Sequence, residues 1–155
     1  MKLQIIAVGQ KMPAWVDQAS NDYMKRLPGK QLTLSCIATA QRKSGQTVAR
    51  LQQQEAEKIK AKIKTGSLNI ALDEHGKQWS TQQWAEQYRD WLLYHPMVNF
   101  IIGGPDGLAP EILSMANQTI ALGRMTLPHG LARVVLIEQL YRAWSVVEGH
   151  PYHRE

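Results

Sequence analysis

Hydrophobic positions along this chain keep two rhythms, and the rhythms alternate. Residues 3–9, "LQIIAVG", are a nearly unbroken run of strand-forming types. Residues 14–27 read as a helix, with Pro13 placed to open it and Pro28-Gly29 to close it. "QLTLSCIA" predicts a second strand. A polar loop, "TAQRKSGQ", then leads to a helix over about 47–64, with Val48, Leu51, Ile59 and Ile63 toward one face. A third strand is predicted over 67–73, followed by the helix "STQQWAEQYRDWLLY". Ser80 caps that helix, and Trp84, Tyr88, Trp91 and Leu92 are spaced as its buried stripe. "MVNFIIGG" predicts the fourth strand, "PEILSMANQ" a short helix and "TIALG" a brief strand. After the loop "GRMTLPHG" comes a long helix over about 131–147 and the tail "EGHPYHRE".

Strands that alternate with helices in this way assemble into a mainly parallel sheet with helices on both faces. No repeat or low-complexity linker divides the chain, so an α/β fold in one domain spanning residues 1–155 is expected.

Composition adds exclusions. At 155 residues the chain is long enough to bury a core without staples. The start "MKLQIIAVGQKMP" has no signal-peptide cleavage region, and no apolar run is long enough to span a bilayer. A single cysteine, Cys36, excludes an internal disulfide and any multi-cysteine metal site. A cytoplasmic protein without a metal is expected.

The net charge of +5 is unevenly spread. Thirteen of the 18 lysines and arginines lie between Lys2 and Lys77, whereas acids slightly outnumber bases after that point. Such asymmetry suits a polyanionic partner on the first half. It also suits a plainer reading, in which "KIKAKIK" is the solvated face of a helix.

The most specific local feature is "FIIGGPDGLAP", a buried strand ending in two glycines and a Pro-Asp-Gly turn. It is not a P-loop, because no Gly-Lys-Ser/Thr follows the glycines. Nor is it a dinucleotide fingerprint, since the spacing is wrong and the turn follows the fourth strand rather than the first. Ligands in open α/β sheets nevertheless bind outside the carboxyl ends of strands. Two more glycine-containing loops leave such ends, "LDEHG" and "GRMTLPHG". They either converge with the first on one pocket or are three ordinary strand–helix turns.

Four motifs in order carry a resemblance: "KLQIIAVGQKMPAWV", "IIGGPDGLAP", "MTLPHGLARVVLIEQLYRAWS" and "HPYHRE". Together they resemble the 23S ribosomal RNA pseudouridine N3-methyltransferases, small members of the SPOUT methyltransferase class, over essentially the whole chain. The resemblance implies an α/β domain whose C-terminal segment forms a trefoil knot. It also implies a homodimer and S-adenosyl-L-methionine bound at the knot. The implied methyl acceptor is a pseudouridine in a 23S rRNA hairpin loop of the assembled ribosome.

Matched motif by motif, the implied cofactor contacts are Leu72, Gly103, Gly104 and the run Gly123, Arg124, Met125, Thr126, Leu127 and Pro128. Gly123 stands where members of the family carry serine, so the implied contact there is through backbone. With no Cβ, Gly103 and Gly104 are expected to let the chain close over the cofactor.

Methylating N3 of pseudouridine needs loss of the imide proton, and donors or positive charge at the flanking carbonyl oxygens. The residues that suit this are His153 as a base, or else a chain-end cap. Arg154 suits a donor, or an exposed tail cation. Tyr152 either stacks on a base or packs on its neighbours. Arg142 either points to the site or pairs with Glu138, and His129 is either catalytic or a helix-entry residue. Two other functions fit the same residues: a SPOUT relative acting on tRNA, and a non-catalytic ribosome-binding factor.

Overall fold

The computed structural model describes residues 1–153. Five strands, β1 (Lys2–Val8), β2 (Leu32–Ile37), β3 (Leu68–Gln78), β4 (Met97–Ile102) and β5 (Gln118–Ala121), form one sheet in the order β2-β1-β4-β3-β5. All the pairings between neighbours are parallel. The helices are α1 (Ala14–Arg26), α2 (Val48–Ala61), α3 (Thr81–Tyr94), α4 (Pro110–Met115) and α5 (His129–Glu148), with a single 3-10 turn at Pro28–Lys30.

Strand alternation sends Leu3, Ile5, Ile70, Phe100 and Ile102 to one face of the sheet, and Ile6, Val8, Ala71 and Ile101 to the other. On the first face they meet α1, α3 and α5, with α5 seated between the other two. On the second they meet α2 and α4. Both faces of the central strands are covered, which is why those strands read as continuous apolar runs rather than alternating ones. A helix seated between two others on a sheet must be apolar over most of its circumference, and α5 meets that demand: Leu136, Ile137, Leu140 and Ala143 are fully buried.

Three expectations need correction. Ser80 caps α3 in a capping box with Gln83, as its sequence predicts, but Leu92 is exposed and Ala85 takes its place in the buried stripe. On α2, Val48 is exposed and the buried face includes Glu55 instead, whose carboxylate accepts the buried Ala40 N–H at 2.9 Å. Most consequentially, β3 does not end near Asp73. Both Leu72 and Lys77 pair with Ile120, so residues 73–76 bulge out and the strand then resumes. Gly76 makes this possible, because a Cβ there would sit 2.6 Å from backbone atoms of Ile120. The resumed segment is polar and exposed, and hydropathy alone reads it as loop.

Candidate functional site

The loops after β1 and β4 leave for opposite faces of the sheet, which opens a crevice beyond the carboxyl ends of the strands. Next to it lies a cavity of about 580 Å³. Its walls come from the bulge of β3, the glycine turn after β4 and the loop between β5 and α5, so the three glycine-containing loops do converge. Of the residues expected to hold the cofactor, Leu72, Gly103, Gly104, Gly123, Met125, Thr126 and Leu127 line this cavity. Arg124 is exposed beside it, and Pro128 is the N-cap of α5.

The glycine turn is built for itself first. Gly107 N–H donates to Gly104 O at 3.0 Å, closing the turn, and Gly107 takes φ +76°. A Cβ on Gly103 would lie 2.7 Å from the Gly107 carbonyl carbon, so that glycine is required by the turn's own backbone. A Cβ on Gly104 would meet Val8 at 3.0 Å. Whatever else they do, these glycines first allow the chain to fold back on itself. Arg42 donates to the Asp106 carboxylate at 2.6 Å, and Gln52 donates to Asp106 O at 2.7 Å. The turn is thereby tied to the loop before α2 and to α2 itself.

His129 opens α5 and lines the cavity, with both ring nitrogens engaged. Nδ1 lies 2.9 Å from Gly103 O, and Nε2 lies 2.9 Å from Arg133 Nη2. A guanidinium only donates and a carbonyl only accepts, so the ring is neutral with its proton on Nδ1. Burial, then the Arg133 charge, lower its pKa, against the opposing pull of the Gly103 carbonyl.

Arg133 escaped the sequence reading. It is 1% exposed, donates to Gly9 O at 3.0 Å and approaches Cys36 Sγ at 3.5 Å, and its Nε has no partner. The available signal was an arginine one helical turn after His129 on an otherwise apolar helix face.

The tail residues gather elsewhere. His153 Nδ1 lies 3.1 Å from Ser145 Oγ, whose hydroxyl donates to Arg142 O at 2.8 Å. That hydroxyl has one proton to give, so His153 Nδ1 is the donor in their contact. Tyr152 OH donates to Glu138 at 3.0 Å, and Arg142 binds the same oxygen at 2.9 and 2.7 Å. The Tyr152 ring packs on Tyr141, and its hydroxyl pKa is raised by burial, then by Tyr23 and Glu138. Arg154 lies outside the described residues. Sixteen residues of α5 separate His129 from Ser145, about 24 Å at 1.5 Å per residue. The tail group therefore sits near the far end of α5 from His129.

Among the described residues no group of three or more His, Cys, Asp or Glu side chains is arranged to hold a metal ion, and no helix is long and apolar enough to cross a membrane.

The model of the family described as "Predicted SPOUT methyltransferase" matches residues 1–153. A protein of Verminephrobacter eiseniae named "Ribosomal RNA large subunit methyltransferase H" is 49% identical, with all of both chains covered. Proteins of the same name from Pseudomonas putida and Pseudomonas fluorescens are 45% and 46% identical, covering 99% of this chain and all of theirs. Among solved structures, a probable methylase family protein from Haemophilus influenzae superposes with a TM-score of 0.57 at 15% identity, over 99% of this chain and 70% of that one. That likeness concerns the fold alone.

Proposed function

Because the chain belongs to the SPOUT methyltransferase family, we propose that it transfers a methyl group from S-adenosyl-L-methionine to N3 of a pseudouridine in a 23S rRNA hairpin loop, acting on the assembled ribosome in the cytoplasm. The observation that carries this reading is end-to-end identity of 45–49% with proteins named for methylating large-subunit ribosomal RNA. The trefoil knot belongs to the same reading, supported by the return of α5 from the edge strand β5 to a seat between α1 and α3.

The cavity suits this cofactor chemically. Asp73, Glu74 and Asp106 line it and no lysine or arginine does, as fits a ligand with a sulfonium and an ammonium group. Leu72, Ile102, Leu122 and Leu127 offer apolar walls for an adenine. When bound, the cofactor supplies an electrophilic methyl on positively charged sulfur.

The chain's own residues do the rest. His129, neutral and held at both nitrogens, fixes the Gly103 carbonyl and so the shape of the glycine turn. Tyr152, Glu138 and Arg142 hold the tail so that His153 Nε2 is free to accept the N3 proton. Leu72, Gly104, Gly123, Met125, Thr126 and Leu127 would hold the cofactor, whose sulfonium would supply the methyl carbon to N3 and keep the electron pair of the carbon–sulfur bond. The separation of about 24 Å along α5 between His129 and Ser145, which His153 contacts, supports a homodimer in which one subunit's tail serves the other's cavity.

The decisive experiment is methyl transfer from labelled S-adenosylmethionine to ribosomes lacking the modification, with the product nucleoside identified by mass. Label in N3-methylpseudouridine is expected. No transfer despite bound cofactor rejects the target, and equal activity on the naked hairpin rejects the ribosomal requirement. His153→Ala is expected to lower turnover at saturating cofactor.

A further inference from the structure

Two further cavities continue from the first. One, of about 570 Å³, shares Gly104, Pro105 and His129 with the cofactor cavity and extends over Gly9, Lys11 and Thr39. The next, of about 290 Å³, shares Ala38 and Thr39 with the second and runs on to Lys43, Gln46, Gln54 and Lys58. The three adjoin one another from the carboxyl ends of the strands to the loop before α2 and the middle and last turns of that helix.

Charge divides the three. The first cavity is lined by three carboxylates and no lysine or arginine, whereas the second and third are lined by Lys11, Lys43 and Lys58 and by no carboxylate. Of the other cations on α2 and in the loop before it, Arg42 is neutralised by Asp106 and Lys60 by Glu57 and Glu111, whereas Arg50 makes no ion pair among the described residues. The side chains of Lys11, Lys43 and Lys58 make no ion pair among the described residues. Three uncompensated ammonium groups along one groove, interspersed with amide and hydroxyl groups, match a strand of phosphates with exposed base edges.

From this we infer that the second cavity receives the target nucleotide and the third carries the phosphates of its neighbours, so that a single strand of RNA runs from His129 past Thr39 to Lys58. This rests on the proposed function for the identity of the RNA, and adds where it lies. A base to be methylated must enter a space contiguous with the methyl group, and the second cavity meets that condition because it shares a wall with the first. Its volume is within the ~300–1,000 Å³ usual for small-ligand sites. An unpaired or extruded base fits the requirement, since a base paired inside a duplex has its N3 edge occupied and cannot offer it to a recess in the protein.

The test is equilibrium binding of a fluorescently labelled, uridine-rich single-stranded RNA to the full-length protein, with S-adenosylmethionine binding measured by calorimetry alongside. Lys11→Glu and Lys58→Glu are each expected to weaken RNA binding about tenfold or more. Each is also expected to reduce the dependence of log affinity on log salt by about 0.7 for every phosphate that the protein no longer neutralises. Lys2→Glu makes the same charge change at the opposite end of β1 and is expected to leave binding nearly unchanged. Cofactor affinity is expected to stay constant in all three. The inference is overturned if Lys11→Glu and Lys58→Glu bind RNA like the wild type, if Lys2→Glu weakens it equally, or if the wild type does not bind the strand. Failure to methylate ribosomes, with this binding pattern intact, overturns the proposed target and leaves the track standing.

Discussion

His129 Nε2 lies 2.9 Å from Arg133 Nη2, one turn further along α5, and the pair closes the back of the crevice where β1 and β4 end. The arginine reaches the carbonyl after β1, at Gly9, while the histidine reaches the one after β4, at Gly103. A single helix turn therefore fixes two loops that leave the sheet in opposite directions.

This arrangement has a pH signature. The His129 pKa is lowered from 6.5, by burial first and the Arg133 charge second. The unfolded chain thus takes up a proton that the folded chain resists, and the His129 contribution to stability falls as pH drops below about 6.5. His129→Gln is expected to lose less stability than the wild type between about pH 7 and about pH 5 in urea unfolding. Equal losses would place the acid sensitivity elsewhere.

Arg133→Met removes the donor to Gly9 O and to His129 Nε2 while keeping much of the apolar volume. Leaving buried acceptors unpaired is expected to cost about 1–3 kcal/mol. With the charge gone, the His129 ring is expected to titrate at higher pH, followed by NMR. An unmoved titration would show that the guanidinium does not set the histidine's state.

The glycines divide by what surrounds them. Gly103→Ala drives a Cβ to 2.7 Å from the Gly107 backbone, which cannot swing aside as a side chain would, and about 1–3 kcal/mol of stability is expected to go with it. Cofactor affinity, measured by calorimetry, is expected to fall as well. Gly123→Ser meets open space, with nothing within 4 Å of the new Cβ, and its stability is expected within about 0.5 kcal/mol of wild type. Comparable losses in both would mean that the turn tolerates no change at either wall.

Glu138 is the anchor of the tail, holding Arg142 and Tyr152 through one carboxylate oxygen. Being partly exposed, the Arg142–Glu138 ion pair is worth about 1 kcal/mol or less to global stability. Glu138→Ala is accordingly expected to unfold close to the wild type, yet to lose methyl transfer while binding cofactor normally. Hydrogen exchange at Tyr152 and His153 is expected to rise. Normal turnover in this variant would remove the tail from the reaction.

The sheet was legible because its strands are buried on both sides. Residues 3–9 and the run ending at Ile102 are apolar stretches each interrupted only once, by Gln4 and Asn99, and that pattern with intervening helices admits few arrangements other than a parallel α/β layer. Ser80 followed by Gln83 was likewise legible, because a capping box is a local hydrogen-bond pattern. The resumed half of β3 was not. Its residues are polar, and their strand geometry exists only because Gly76 lets the backbone cross Ile120. Glu55 was hidden for a related reason: a glutamate on a helix face looks solvated until a buried N–H from a distant loop is there to bind it.

Local chemistry and the order of apolar runs were determined by the sequence alone: the five strands, their helices, the three glycine-containing loops and the motifs that carry the family resemblance. Tertiary structure decided what those residues do. It gave His129 two fixed partners, Gly103 and the unsuspected Arg133, and placed Tyr152 and His153 at the far end of α5 from His129. Hydrogen bonds such as that from Arg133 to Gly9 join positions 124 residues apart. Periodicity reports which face of an element is buried, whereas such partnerships depend on how elements are stacked in space.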